Sequence, residues 1–249
     1  MIRKVINLVK ISHVHMSGCT GCLISLADTY EKLLDILGAV DLVYATTLAD
    51  AVTKVTETDD RILIERVYPD AVDVALVEGS VCLDDPHAVE LIKEVRAKSG
   101  LVVALGACSA TGGVTRFGRG GQDPQPTHVS FVPISKVIKT DFAIPGCPPS
   151  TESIVKFLMA ALEGDMDYLE PYAEFVKYED ASGENLVKQV ISQGLCMGCG
   201  TCSAACQMRA VEMFDGKPDI RMELCINCGS CVLQCPRIRM PKAKGIMGV

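Results

Sequence analysis

Residues 196–206 read CMGCGTCSAAC and residues 225–236 read CINCGSCVLQCP, two copies of the spacing C-x2-C-x2-C-x3-C. Three cysteines at intervals of three wrap the corners of one cubane cluster. The fourth, followed in the second copy by Pro236, reaches across to the other cluster of a two-cluster ferredoxin fold. The expected assignment is therefore crossed: Cys196, Cys199, Cys202 and Cys235 hold one 4Fe-4S cluster, and Cys225, Cys228, Cys231 and Cys206 hold the second. Structural zinc prefers two separated C-x2-C pairs, and a disulfide framework belongs to a secreted chain; two complete quartets fit neither. The first copy departs from the pattern at one place, since Gln207 rather than proline follows Cys206.

The segment carrying these quartets, residues 186–249, is too small to be held by an apolar core alone, and two bound clusters are expected to staple it. Before it, residues 163–185 contain Glu163, Asp165, Asp167, Glu170, Glu174, Glu179, Asp180 and Glu184 against one lysine, so this stretch carries the whole net charge of −7. Tyr168, Tyr172, Phe175 and Tyr178 surround Pro171 there. The stretch reads either as a strap packed on a neighbouring surface or as a solvated acidic connector.

Upstream, apolar runs alternate with helical patterns. Val5 to His15, Asp41 to Thr46, Val72 to Val77, Leu101 to Leu105 and Phe142 to Ile144 read as strands. The later ones are short and apolar on both faces, as parallel strands covered by helices should be. Cys22 to Leu37, Pro86 to Lys98 and Pro149 to Leu162 read as helices, with Asp84 or Asp85 as N-cap of the second and Pro86 at its first position. The expected architecture is α/β: a flavodoxin-like open parallel sheet over residues 1–162, an acidic strap over 163–185, and a small α+β two-cluster ferredoxin domain over 186–249.

Composition agrees and excludes several classes. A chain of 249 residues with 49% hydrophobic and 22% charged content can bury one α/β core plus a small appendage. The N-terminus MIRKVINLVKISHVHM shows no signal-peptide pattern, which makes the expected location cytoplasmic, where thirteen thiols are better explained by metal than by disulfides. No apolar run approaches a membrane-spanning length, and an acidic chain lacks the basic footprint of a nucleic-acid binder.

Five cysteines remain. Cys19 and Cys22, Cys82, Cys108 and Cys147 each follow one of the expected strands, on the carboxyl edge where open α/β sheets bind ligands. A single free cysteine often just fills space. Together, with Gly18, Gly21, Gly106 and Gly146 beside them, they look like thiolates on loops whose backbone approaches a bulky inorganic group. Four ligands are needed and five candidates exist.

Gly18-Cys19-Thr20-Gly21-Cys22, Glu78-Gly79-Ser80, Gly106-Ala107-Cys108-Ser109-Ala110-Thr111-Gly112-Gly113 and Pro145-Gly146-Cys147-Pro148-Pro149 resemble, in order, the motifs of the small, electron-transferring subunits of NiFe hydrogenases. The resemblance implies that Cys19, Cys22, Cys108 and Cys147 bind the proximal 4Fe-4S cluster, leaving Cys82 as a small buried residue or an alternative proximal ligand. It implies three clusters in all, and a nickel-iron centre held by a separate large (alpha) subunit. Direct fusion to a two-cluster ferredoxin resembles the gamma subunits of the F420-reducing hydrogenases of methanogenic archaea. In those, electrons leave for an FAD-containing beta subunit that reduces coenzyme F420.

Two other functions fit parts of the pattern. One is a hydrogenase small subunit serving a heterodisulfide reductase, NAD(P) or a membrane ion pump; the other is a ferredoxin-like carrier without a hydrogenase partner. A conducting subunit needs no base or nucleophile, so no residue is expected to be catalytic. His13, His15, His87 and His128 show no partnered motif, and His87 reads as first-turn helix surface. Glu78 reads as a strand-end acid making local hydrogen bonds, with a proton route as its functional alternative. The glycine-rich run Val114 to Gly121 lacks the strand-turn-helix context of a dinucleotide loop and is expected at a subunit interface.

Overall fold

A computed structural model describes residues 8–45, 53–58, 61–117, 130–177 and 182–239. The strands in chain order are β1 (Val9–His15), β2 (Val40–Ala45), β3 (Thr53–Thr58), β4 (Arg61–Arg66), β5 (Val72–Glu78), β6 (Val81–Cys82), β7 (Ser99–Leu105), β8 (Phe131–Val132) and β9 (Phe142–Ile144). Five of them form one parallel sheet in the order β2-β1-β5-β7-β9. Counted among themselves these strands run 2-1-3-4-5, the flavodoxin-like order, in which the chain reverses direction across the sheet between β1 and β5. Two further pairings were not among the expected strands, the antiparallel hairpin of β3 with β4, whose Thr-, Val- and Ile-rich runs carry a hairpin pattern, and the two-residue ladder of β6 with β8. The first strand was expected from Val5 and the second to Thr46; Val5 and Thr46 lie outside the described residues, as do His128 and the glycine-rich run beyond residue 117.

Helices cover the sheet. The single helix expected over Cys22 to Leu37 is two, α1 (Gly21–Ala27) and α2 (Glu31–Ala39). The break has a local cause: the Thr29 hydroxyl donates to the Leu26 carbonyl at 2.8 Å, and Tyr30 turns the chain with φ 52°. Helix α3 (Pro86–Lys98) starts as expected, with Asp85 as the cap accepting from the His87 and Ala88 N–H groups. Arg96 in its last turn bonds Asp141 Oδ2 at 2.6 Å and the Gly100 carbonyl, while the same Asp141 oxygen accepts from Val102 N–H. That clamp sets β9 beside β7. Helix α4 (Gly106–Thr111) is wholly buried. Helix α5 (Thr151–Glu163) begins two residues later than expected because Ser150, beyond the prolines, supplies the cap to Ser153 N–H.

The acidic stretch begins as a helix, α6 (Met166–Phe175), capped by Asp165. Leu169, Tyr172 and Phe175 are buried, and Asp167, Glu170 and Glu174 point outward. Tyr172 meets Phe157 of α5 edge-on at 5.1 Å, and Phe157 meets Phe142 of β9 at 5.6 Å. Tyr178, Glu179 and Asp180 lie outside the described residues.

The chain then enters the cysteine-rich half through α7 (Gly183–Leu186), which continues as a π turn to Ile191. Its capping box joins Ser182 and Asn185, and Gly183 in its first turn packs closely against the Ile220 side chain. Helix α8 (Thr201–Ala204), the hairpin of β10 (Val211–Phe214) with β11 (Lys217–Ile220), α9 (Ser230–Leu233) and α10 (Pro236–Arg239) follow. Leu186, Val190, Val232 and Leu233 form most of the apolar core here. Among the described residues no helix is long and apolar enough to cross a membrane.

Because Phe157 joins sheet, α5 and α6 through two ring contacts, Phe157→Ala should destabilise the sheet half by about 3–5 kcal/mol, while Leu34→Ala, at a side chain 72% exposed, should stay within about 0.5 kcal/mol. Anaerobic urea titration followed by circular dichroism checks both.

Candidate metal centres

Three connections at the carboxyl edge of the sheet carry four of the upstream cysteines. Cys19 and Cys22 lie after β1, on the turn into α1; Cys108 sits in α4 directly after β7; Cys147 follows β9. Together they line one cavity of about 220 Å³, with Glu78 and Gln207 also on its wall. Cys82 is not among the described residues that line it. It lies in β6, 2% exposed, opposite Phe131 of β8. The cavity demands close backbone approach: Gly106 has φ 84°, and a Cβ there would collide with the Cys22 sulfur.

Beneath the cavity lies a buried polar cluster. Glu78, 2% exposed at the end of β5, accepts from the N–H groups of Cys22 and Leu23 at 3.1 Å each. His13 Nε2 lies 3.1 Å from Glu78 Oε2, and His15 Nδ1 lies 3.8 Å from it. Burial pushes the Glu78 carboxyl up, but the His13 hydrogen bond, the two histidines and the Cys22 N–H outweigh it and hold the group below the ordinary carboxylate range. Glu78 therefore anchors the first turn of α1, and with it Cys22, to the sheet. Its histidine partners leave no motif in the sequence because they are contributed by the neighbouring parallel strand, 65 residues away for His13.

The thiols feel one another. Burial pushes Cys22 far up, and Glu78, Cys108, Cys147 and Cys19 add to the rise. Burial likewise pushes Cys147 up to about 11, with Cys108, Cys228 and Cys19 contributing. Cys108 is raised chiefly by burial, against the N–H groups of Val114 and Thr115 that bond its sulfur.

The downstream cysteines separate into two sets. Cys196, Cys199, Cys202 and Cys235 line one cavity with Pro236, Met197 and Arg237. Cys206, Cys225, Cys228 and Cys231 line another, with Met208 and Ala210. Both repeats build the same local shape. Gly200 at φ 73° and Gly229 at φ 74° precede α8 and α9, which bury the third cysteine of each copy, Cys202 and Cys231. The hydroxyls of Thr201 and Ser230 lie 3.4 Å from the sulfurs of Cys199 and Cys228. Burial pushes Cys231 up to about 12, reinforced by Cys228, Cys225 and Cys206. Cys199 is exposed, and the Thr201 hydroxyl and N–H hold its thiol below the usual range. Among the described residues no three His, Cys, Asp or Glu side chains converge closely enough to hold a single metal ion.

Upstream and downstream sites meet at one joint. Thr111 of α4 donates to the Asn227 carbonyl at 2.8 Å, between Cys225 and Cys228. Cys147 lies near enough to Cys228 for its charge to matter, and Gln207 reaches the upstream cavity. His87 is exposed in the first turn of α3, as the sequence implied.

Residues 19–161 match the family model described as "NADH ubiquinone oxidoreductase, 20 Kd subunit", and residues 195–240 match the "4Fe-4S dicluster domain". The chain is 65% identical to the gamma subunit of coenzyme F420 hydrogenase from Methanococcus voltae, over 94% of this chain and 98% of that one. It is 50% identical to the protein of the same name in Methanosarcina barkeri, over 85% and 81%. Identity to a subunit of the F420-non-reducing hydrogenase of Methanocaldococcus jannaschii is 33%, over 63% of this chain and 57% of that one. With its parallel sheet of flavodoxin-like order, its two-cluster cysteine repeat and this similarity along nearly its whole length, the chain belongs to the family of coenzyme F420 hydrogenase gamma subunits.

Proposed function

We propose that the chain conducts electrons from a nickel-iron site on a large (alpha) subunit to an FAD-containing (beta) subunit that reduces coenzyme F420. In this reading Cys19, Cys22, Cys108 and Cys147 hold the proximal 4Fe-4S cluster. Cys225, Cys228, Cys231 and Cys206 hold the middle one, and Cys196, Cys199, Cys202 and Cys235 the last. The observation that carries the reading is the grouping of twelve cysteines into three separate cavities, of which the middle one abuts the upstream site through Cys147, Cys228 and Gln207. Electron transfer by a hydrogenase subunit is the role its family membership assigns.

The donor sets suit clusters rather than single ions, since the thiols line walls instead of converging on a point. When bound, such clusters pass single electrons between a two-electron donor and a two-electron acceptor, at potentials set by ligands, hydrogen bonds to sulfur and solvent exposure. The chain's residues supply those settings. Val114 and Thr115 N–H groups bond Cys108, Ala210 N–H bonds Cys206 at 3.1 Å, and hydroxyls flank Cys199 and Cys228. Cys199 is exposed and lines its cavity with Met197 and Met213, also exposed, which supports this end as the electron exit toward a partner surface. The division of the chain follows the same logic: an α/β half over residues 1–162, an acidic connecting strap over 163–185, and a cluster-stapled half over 186–249. The cytoplasm is the expected compartment for thiols kept for metal.

Three quartets imply about twelve iron and twelve sulfide per chain, measured by elemental analysis of anaerobically prepared protein. A value near eight iron would remove the upstream site.

Since Cys82 packs in β6 away from the cavity, Cys82→Ser should leave the iron content unchanged, whereas Cys19→Ser and Cys147→Ser should each lose about four iron. Loss of iron from Cys82→Ser reverses the assignment.

In the purified complex, Cys235→Ser should cut hydrogen-driven reduction of coenzyme F420 by about tenfold or more while hydrogen isotope exchange at nickel continues. Undiminished F420 reduction excludes the route. An intact complex that reduces another acceptor under hydrogen but not F420 points to the alternative partners.

A further inference from the structure

The three residues from Cys206 to Met208 run between two cavities. Cys206 and Met208 line the middle site, and Gln207, between them, lines the upstream site on the other side of the chain. The path is held by Ala210 N–H on the Cys206 sulfur at 3.1 Å and by Arg209 N–H on the Cys206 carbonyl at 3.1 Å, with Arg209 at φ 52° closing the turn. Gln207 stands where Pro236 follows the corresponding cysteine of the second repeat. Proline has no N–H of any kind, and glutamine carries two side-chain N–H donors. Among the described residues lining the upstream cavity, Gln207 is the one with a side-chain N–H. The other polar wall group, Glu78, is committed to His13, Cys22 and Leu23, and it brings negative charge.

Adding an electron to a cluster ligated by four thiolates beside an anchored carboxylate increases an already unfavourable negative charge. A neutral donor aimed at sulfur offsets that cost without adding a charge that must itself be desolvated. We propose that Gln207 is a positioning residue for electron transfer: its side-chain amide donates to sulfur at the upstream site and makes that site easier to reduce, while its backbone ties the site directly to Cys206 of the next one. This rests on the ligation proposed above and adds to it a residue that ligates nothing. The ferredoxin half thereby sets the potential of the site in the α/β half, and the departure from proline in the first repeat acquires a physical purpose.

The test is a redox titration followed by electron paramagnetic resonance on the full chain in its purified hydrogenase complex. The upstream signal is identified as the one lost in Cys147→Ser. Gln207→Leu removes the donor, and Gln207→Glu keeps the shape but replaces the donor with a charge. Both should retain about twelve iron, and the upstream midpoint should move to more negative potential, more for Glu than for Leu. A tenfold loss in the reduction equilibrium corresponds to about 59 mV for one electron. Unchanged midpoints in both variants at full iron content overturn the proposal. Loss of about four iron from both variants also overturns it, showing that Gln207 only supports the fold of the site. A parent chain with about eight iron instead overturns the ligation itself, before any variant is compared.

Discussion

Gathering four thiols around one cavity is the constraint around which this molecule is arranged. Cys22, Cys108 and Cys147 are desolvated and crowded by their neighbours, and as thiolates the set would repel one another at close quarters. Deprotonated together, such a set would suit the cationic core of the 4Fe-4S cluster proposed for it. The sheet does the gathering. Its strands end together, so that loops after β1, β7 and β9 deliver cysteines to one edge, and the loop after β5 delivers Glu78 beneath them. Glu78 then fixes the start of α1 through two backbone N–H groups, which is a positional role for a buried charge that His13 and His15 keep ionised.

The cysteine-rich half solves the same problem by duplication. One loop-helix unit, repeated, places three thiols around each site and sends the fourth to its neighbour, so neither unit is complete alone. The few apolar residues of this half, chiefly Leu186, Val190, Val232 and Leu233, lie between the units and against the π turn, too small a core to stand without its staples. Among the described residues the contacts that join the halves include the hydrogen bond from Thr111 to the Asn227 carbonyl, the approach of Cys147 to Cys228 and Gln207 on the wall of the upstream cavity. A conducting protein needs fixed spacing more than it needs moving parts, and these contacts, with the aromatic stack that seats α6 on α5, supply rigidity where the sites face one another.

Where local chemistry decides structure, the residues could be read directly. The cysteine spacing, the parallel strands with both faces apolar, the Asp85 cap with Pro86 after it, and the family motifs around Cys19, Cys108 and Cys147 are all patterns within a few neighbouring positions, and the fold class follows from them. Local patterns misled where a competing bond intervenes, as at Thr29, which splits the first helix, or where pairing is too short to leave a pattern, as in β6 and β8.

Tertiary structure alone decided which distant groups meet. Nothing in their spacing joins His13, His15 and Glu78, which converge because β1 and β5 are adjacent in register. Nor could spacing tell that Cys82, on the same edge in sequence, sits in a small ladder and not among the described residues lining the cavity, or that Gln207 lines the upstream cavity while its neighbours line the next. The 4Fe-4S dicluster domain is legible in the chain because such a domain needs cysteines at particular short intervals. The surroundings of each ligand are set by which strands lie side by side, and that depends on the packing of the whole sheet.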